Sequence, residues 1–273
     1  MCRLYGFHSN IPTRLSCSLI KSQNSLVQQS RLDSRGQSNA DGWGIAYLSH
    51  NGWQVRRHAA PAFKDPLFSE EVRHITSTLV IAHVRAATVG QVSEINTQPF
   101  HHKKWVLAHN GTVADFAQHR QKFLDRIAPD LVPFIEGETD SEHIFYLLLT
   151  LLSEAYNPWE EIEESPLPLV EALIEVARYI DAWTGNFRSS LNMLISNGST
   201  VAAYRQGMTL FHVRRCCISD CEMCGQSHVP ETKTDYYSWV VASEPLTQEG
   251  WQEIQEGHAV GVGIQNEIVE RTR

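Results

Sequence analysis

Two kinds of apolar spacing run along the chain. Short runs with strand character occupy Cys2–Phe7, Trp43–Ser49, Trp53–Ala59, Leu79–Ala86 and Trp105–Gly111. More of them follow in the last third, at Leu191–Gly198, Thr200–Gly207, Met208–Arg215, Tyr236–Leu246 and Ala259–Ile264. Asn51-Gly52 joins the second and third runs, and this pair supplies the left-handed residues of a tight hairpin. Asn197-Gly198 and Gln206-Gly207 punctuate the later runs in the same way. Helical spacing predicts helices over Leu15–Ser30, Phe68–Ile75 after Pro66, and Asp115–Ile127 before Pro129. Two longer helices are predicted from Thr139 to Tyr156 and over Leu169–Trp183, the latter with Pro168 at its start and Gly185 after its end. Thr139 followed by Glu142 has the spacing of a capping box.

No repeat, low-complexity tract or linker interrupts this order. Strand groups bracketing two adjacent long helices predict sheets packed together with helices outside, in one α+β domain over residues 2–273. At 273 residues and 42% hydrophobic, the chain can bury a large core. Its formal charge of -8 argues against nucleic acid, which calls for a basic stripe. The longest apolar run, around Phe145–Leu152, is too short to span a bilayer, so no membrane is expected. No apolar h-region follows the first basic residue, and the chain is therefore read as cytoplasmic. His101-His102-Lys103-Lys104 reads as a solvated loop.

The chemistry begins at Cys2. Cysteine is small enough for Met1 to be removed behind it, which would leave one residue carrying both a thiol and a free α-amine. Such an amine titrates near ~7.7–8.0 and can take the thiol's proton. A buried small hydrophobe is the plain alternative. Arg85 ends a buried strand, so it needs an anion: a ligand carboxylate or a structural ion pair. Asn110-Gly111 reads either as a hairpin turn or as an oxyanion hole built from a side-chain amide and a backbone N–H. Asp140 is either an acidic first-turn residue favoured by the helix dipole or the partner of a substrate ammonium. Together the four stretches describe a pocket for a ligand with an α-carboxylate, an α-amine and a distal carbonyl, namely glutamine or a γ-glutamyl compound.

The ordered set Met1-Cys2, Asp41-Gly42-Trp43-Gly44, His83-Val84-Arg85-Ala86-Ala87-Thr88, Asn96-Thr97-Gln98-Pro99-Phe100, His109-Asn110-Gly111 and Glu138-Thr139-Asp140-Ser141-Glu142 resembles the class II glutamine amidotransferases. These belong to the N-terminal nucleophile hydrolases, and the likeness is to their stand-alone branch of small glutaminase-like proteins. It extends more loosely to Val240-Val241-Ala242-Ser243-Glu244-Pro245-Leu246. The resemblance implies a four-layer αββα sandwich of two antiparallel sheets flanked by helices. It implies Cys2 as nucleophile, Asn110 and Gly111 as oxyanion hole, Arg85 with the Thr88 region for the α-carboxylate, and Asp140 for the α-amine. The longer synthases of the family often carry Trp after the arginine and His after the threonine, where this chain has Ala86 and Val89.

The resemblance implies cleavage of a γ-glutamyl amide through a cysteine thioester, with no cofactor required. The substrate would be glutamine, with ammonia passed to a separate synthase subunit. An alternative is a γ-glutamyl peptide or thiol metabolite, as in glutathione or ergothioneine pathways. A non-catalytic glutamine-sensing subunit is the rival from another class. Apart from these motifs, four of the six cysteines lie between Cys216 and Cys224. Cys217, Cys221, Cys224 and His228 could close a structural zinc site in an insertion loop at 214–235.

Overall fold

In the computed structural model the run Arg3–Phe7 is the first part of a long central strand, β1 (Arg3–Arg14). The structure describes residues 2–156, 165–216, 224, 227–228 and 235–273. Leu4 and Tyr5 point to opposite faces of the sheet and enter different apolar clusters, as a period of two requires. β1 pairs antiparallel with β4 (Thr76–Arg85) on one side and with β10 (Tyr237–Ala242) on the other. β2 (Gly42–Ser49) and β3 (Gly52–His58) extend the sheet beyond β4, and β9 (Phe211–Cys216) and β11 (Gln252–Glu253) extend it beyond β10.

The second sheet runs β13 (Ile268–Thr272), β12 (His258–Val262), β8 (Val201–Tyr204), β7 (Ser190–Ser196), β6 (Trp105–Thr112), β5 (Phe100–His102). Every pairing in both sheets is antiparallel. Three apolar clusters fix the layer order. Leu4, Ala46 and Ile81 of the first sheet meet Val106, Ala108, Leu194 and Ala203 of the second. Behind the first sheet, Tyr5, Phe7, Val80 and Val84 pack with Leu19, Leu26, Phe68 and Val72 from α1 (Leu26–Arg31), α2 (Pro66–His74) and the π-helical turn Cys17–Lys21. Behind the second, Leu107, Met193, Ile195 and Tyr204 pack against α4 (Asp140–Ala155) and α5 (Leu167–Thr184), with α3 (Phe116–Arg126) alongside. The result is an αββα sandwich.

Several expectations need correction. The single helix over Leu15–Ser30 is instead the π-helical turn, a break at Ser22–Asn24 and short α1. β1 runs to Arg14 through Pro12, and its register with β4 shifts between His8 and Thr13, an irregularity that accommodates a residue with no N–H. His102 is not solvated. It lies on β5 and its ring packs against Phe134 and Tyr146. The capping box is half formed: Thr139 accepts the Glu142 N–H at 3.2 Å, while the Glu142 carboxylate holds the N–H groups of Glu136 and Gly137. The segment placed at 214–235 starts on β9, where Arg214, Arg215 and Cys216 pair with β10.

Candidate active site

The ends of β1, β4 and β6 converge with the N-terminus of α4. β1 runs antiparallel to β4, which brings Arg3 opposite Val84 and sets Cys2 beside the residues that follow Arg85. The Cys2 thiol is buried and lies 3.4 Å from the Ala86 carbonyl oxygen and 3.3 Å from the Ala86 N–H. Burial raises the thiol above its ordinary value. The Ala86 N–H, the amino-terminal charge and Arg85 pull it back, and Asp140 adds to the rise. These influences show that Cys2, Arg85 and Asp140 share one electrostatic neighbourhood.

Arg85 is held at the strand end by Asp41, whose N–H donates to the Arg85 carbonyl at 2.9 Å. The Asp41 carboxylate in turn accepts the Ala87 N–H at 2.8 Å. The Arg85 guanidinium donates to the carbonyls of Gln91, Val89 and Gly90 at 2.9, 3.0 and 3.3 Å. It thus curls the loop after β4 around itself. Among the described residues it forms no salt bridge of the kind the plain sequence alternative required. Thr88 sits at the rim, its hydroxyl 2.8 Å from that of Thr112 at the end of β6.

Asn110-Gly111 is not a turn. Both residues lie inside β6, opposite Asn192 and Leu191 of β7. A Cβ on Gly111 would fall 1.8 Å from the Ser190 carbonyl oxygen, so only glycine allows this approach of the two strands. The Asn110 amide donates to the Ser243 hydroxyl at 3.3 Å, and that hydroxyl accepts the Leu4 N–H at 2.9 Å. Asn110 is thereby tied to the strand that carries Cys2. Asp140 is the first residue of α4. Its carboxylate accepts the N–H groups of Val113 and Ser141, each at 2.8 Å, and is buried. Lone pairs remain on it for one further donor.

A second ring of polar groups, present in the sequence motifs without an assigned role, supports these. Gln98, just before β5, reaches β6: its amide donates to the His109 carbonyl at 3.0 Å and its carbonyl accepts the His109 N–H at 2.5 Å. Its amide also reaches the Ser141 hydroxyl, which lies 2.9 Å from His109 Nδ1. Arg3 donates to the Cys2 carbonyl at 2.9 Å and pairs with Asp33 at 2.7 Å and Glu244 at 2.8 Å. Arg3 had a local signal, a cation inside an apolar strand. Its partners lie far along the chain and had none.

The metal candidates lie elsewhere. Cys224 and His228 are close together, and the buried Cys17 joins them. Cys217 and Cys221 lie outside the described residues. A cavity of about 570 Å³ lined by Arg126, Leu151, Tyr156, Glu171 and Arg271 also lies apart from Cys2.

Known proteins share the family and the fold of this chain. The family profile "Glutamine amidotransferases class-II" matches residues 1–269. A probable glutamine amidotransferase of Saccharomyces cerevisiae, DUG3, is 33% identical over 91% of this chain and 77% of its own. The γ-glutamyl-hercynylcysteine sulfoxide hydrolase of Mycobacterium tuberculosis is 29% identical, over 96% of this chain and 93% of its own. A predicted glutamine amidotransferase from Pseudomonas aeruginosa superposes with a TM-score of 0.63 at 27% identity, covering 98% and 99% of the two chains. The Bacillus subtilis glutamine phosphoribosylpyrophosphate amidotransferase shares the fold, with a TM-score of 0.62 at 14% identity over 99% of this chain and 49% of its own. With the family profile spanning nearly its whole length, the chain belongs to the class II glutamine amidotransferases.

Proposed function

We propose that the protein hydrolyses a γ-glutamyl amide bond through a thioester on Cys2, releasing glutamate and either an amine or ammonia. One observation carries this: the thiol of Cys2, the guanidinium of Arg85 and the carboxylate of Asp140 share one neighbourhood, with Asn110 tied through Ser243 to the strand that bears Cys2. The thiol and the amide donor fit the γ-carbonyl end of a γ-glutamyl group, and the cation and the anion fit the α-carboxylate and α-ammonium at its other end.

A thiol raised by burial is a poor nucleophile until a base removes its proton. Removal of Met1 supplies that base as the α-amine of Cys2 itself. The amine takes the thiol proton and the sulfur adds to the γ-carbonyl. The Asn110 side-chain amide and the Gly111 N–H then hold the oxyanion. Losing one such donor costs about 10²–10³ in kcat. The α-ammonium returns its proton to the leaving nitrogen as the C–N bond breaks. Water, deprotonated by the same amine, cleaves the thioester and restores the thiol. Arg85, with Thr88 at the rim, holds the α-carboxylate through its remaining N–H donors, and Asp140 holds the α-ammonium. Every proton is carried by the chain's own groups, so the reaction calls for no cofactor.

The mycobacterial relative supports a γ-glutamyl conjugate of a peptide or thiol metabolite as donor, beside the free glutamine that the names of the other relatives support. With glutamine as donor, the ammonia would pass to a separate synthase. A reducing cytoplasm suits a catalytic thiol in either case.

The test is glutamate release by Met1-processed protein from L-glutamine and from a panel of γ-glutamyl peptides. Cys2→Ala is expected to abolish release from every donor. Wild-type turnover by that variant would sink the mechanism. Tight glutamine binding with no turnover by the unmodified protein would make it a sensor instead.

A further inference from the structure

On the far side of the first sheet, two segments distant in sequence bring three soft donor groups together. Cys17 opens the π-helical turn that follows β1 and is buried beneath it. Cys224 and His228 come from the connection between β9 and β10, with the Cys224 sulfur 3.3 Å from His228 Nε2. The sulfur atoms of Cys17 and Cys224 and a nitrogen of His228 all lie within 4.8 Å of one another. In a tetrahedral zinc centre, bonds of about 2.3 Å to sulfur and 2.0–2.1 Å to nitrogen leave ligand atoms roughly 3.5–3.8 Å apart. The three groups stand within a small adjustment of that spacing.

We propose that Cys17, Cys224 and His228 bind a structural zinc ion, which clips the β9–β10 connection to the segment after β1.

The chemistry of the donors selects the metal. Two thiolates and one imidazole are a soft set that suits zinc and does not suit magnesium or calcium. On binding, zinc displaces the two thiol protons to solvent and forms two Zn–S bonds and one Zn–N bond. The centre is then neutral, and a fourth position remains for a further donor. His228 is also anchored through its backbone, since its carbonyl accepts the Arg14 N–H at 3.3 Å. The clip has a mechanical use. Residues 217–236 join two neighbouring strands by a connection far longer than a hairpin needs, and such connections gain most from a cross-link. The sequence pattern alone had placed the site within that connection. The structure brings in Cys17, more than two hundred residues earlier.

The site is independent of the hydrolytic centre, so the two are tested separately. Full-length protein is purified without chelator or histidine tag, and its zinc is measured by elemental analysis. The metal is then exchanged for cobalt(II). The expected result is about one zinc per chain, and a cobalt form with the intense sulfur-to-metal absorption of two thiolates. Cys17→Ser is expected to halve that absorption. It should weaken zinc by more than the ~10–100-fold that outer-shell changes cost. His228→Ala tests the loop side, in case Cys17→Ser fails to fold. Cys2→Ala should lose hydrolysis and keep the zinc. Cys216→Ser, exposed on β9, should also keep it. Metal-free protein that takes up neither ion overturns the proposal. So does a Cys17→Ser variant that folds and binds zinc like the wild type, or a Cys17–Cys224 disulfide in protein alkylated before reduction.

Discussion

Arg3 stands directly behind Cys2 and is buried with both of its carboxylate partners. Burial pushes Asp33 and Glu244 up, but their hydrogen bonds and Arg3 more than offset it, and both carboxyls end below their ordinary values. The Asp33 carboxylate accepts the Arg35 and Gln37 N–H groups, and Glu244 accepts both the N–H and the hydroxyl of Ser34. The neighbouring Ser243 holds Leu4 and Asn110. One short stretch after β10 thus steadies the strand start on both sides of the nucleophile. Arg3 acts by position, since it holds the Cys2 carbonyl and not its sulfur. Removing it outright, as in Arg3→Met, strands two buried anions and should cost about 3–5 kcal/mol of stability. Arg3→Lys keeps the charge and loses the planar fork. That variant should remain folded, with kcat reduced at least ~10-fold and KM little changed, because a misplaced nucleophile harms chemistry more than binding. Steady-state kinetics beside a melting curve separates the two effects. Wild-type kcat in Arg3→Lys would remove Arg3 from the positioning role.

At the scale of elements, the glycines of Asp41-Gly42-Trp43-Gly44 serve close packing. A Cβ on Gly44 would lie 2.2 Å from the Gln98 carbonyl oxygen, and one on Gly42 would lie 2.8 Å from the Thr97 hydroxyl. β2 therefore carries the 96–100 segment directly against its backbone, and that segment supplies Gln98 to His109 and Ser141. Gly44→Ala should force the segment away, cost about 1–3 kcal/mol by overpacking, and lower kcat although Gly44 touches no substrate. Gly250→Ala, where a Cβ meets nothing within 4 Å, is the control and should leave both unchanged. An unaltered melting temperature in Gly44→Ala would show that the strand yields at no cost. The same contrast marks what the sequence made legible. Runs with a clear period, such as Leu79–Ala86 and Leu169–Trp183, fold as their spacing requires. β5, β11 and β13 are short or polar and carry no such signal. Cys2, Arg85, Asn110 and Asp140 stood out because each is chemically costly where it sits. Ser243 and Glu244 were marked only by the looser resemblance and carried no role, Asp33 and Cys17 are ordinary in their local sequence, and the pairing of distant strands gives all four their work.

Across the whole molecule, burial of imidazoles couples stability to pH. Burial holds His8 down to about 4 and His83 to about 3, and it lowers His109 and His143 as well. His83 is fully buried with the His109 backbone beside its ring, and His8 meets the Ser199 carbonyl at 3.1 Å. In the unfolded chain such rings take up a proton near 6.5. From there down to their folded values the unfolded state binds more protons, so acid favours unfolding by about 1.4 kcal/mol per pH unit for each ring. The depressed carboxyls act in the same direction at lower pH. Asp33, Glu244 and Asp65 contribute stability above their unfolded values and lose it as pH falls through their folded ones. Glu142 works the other way, since burial raises it and acid relieves its charge. Burial lowers His101, His102, His212 and His228 as well, so among the described residues eight rings stand against one carboxyl. Lowering the pH by one unit from about 6.5 should drop the melting temperature by roughly 5 °C or more for a chain of this size, well before ordinary carboxylates titrate. Replacing His83 by Leu removes one ring from the sum and should flatten that slope by its share, whatever it does to stability at neutral pH. A melting temperature that stays constant between about pH 7.5 and 5 would mean that these histidines are hydrated in solution and that the interface between the two sheets admits water.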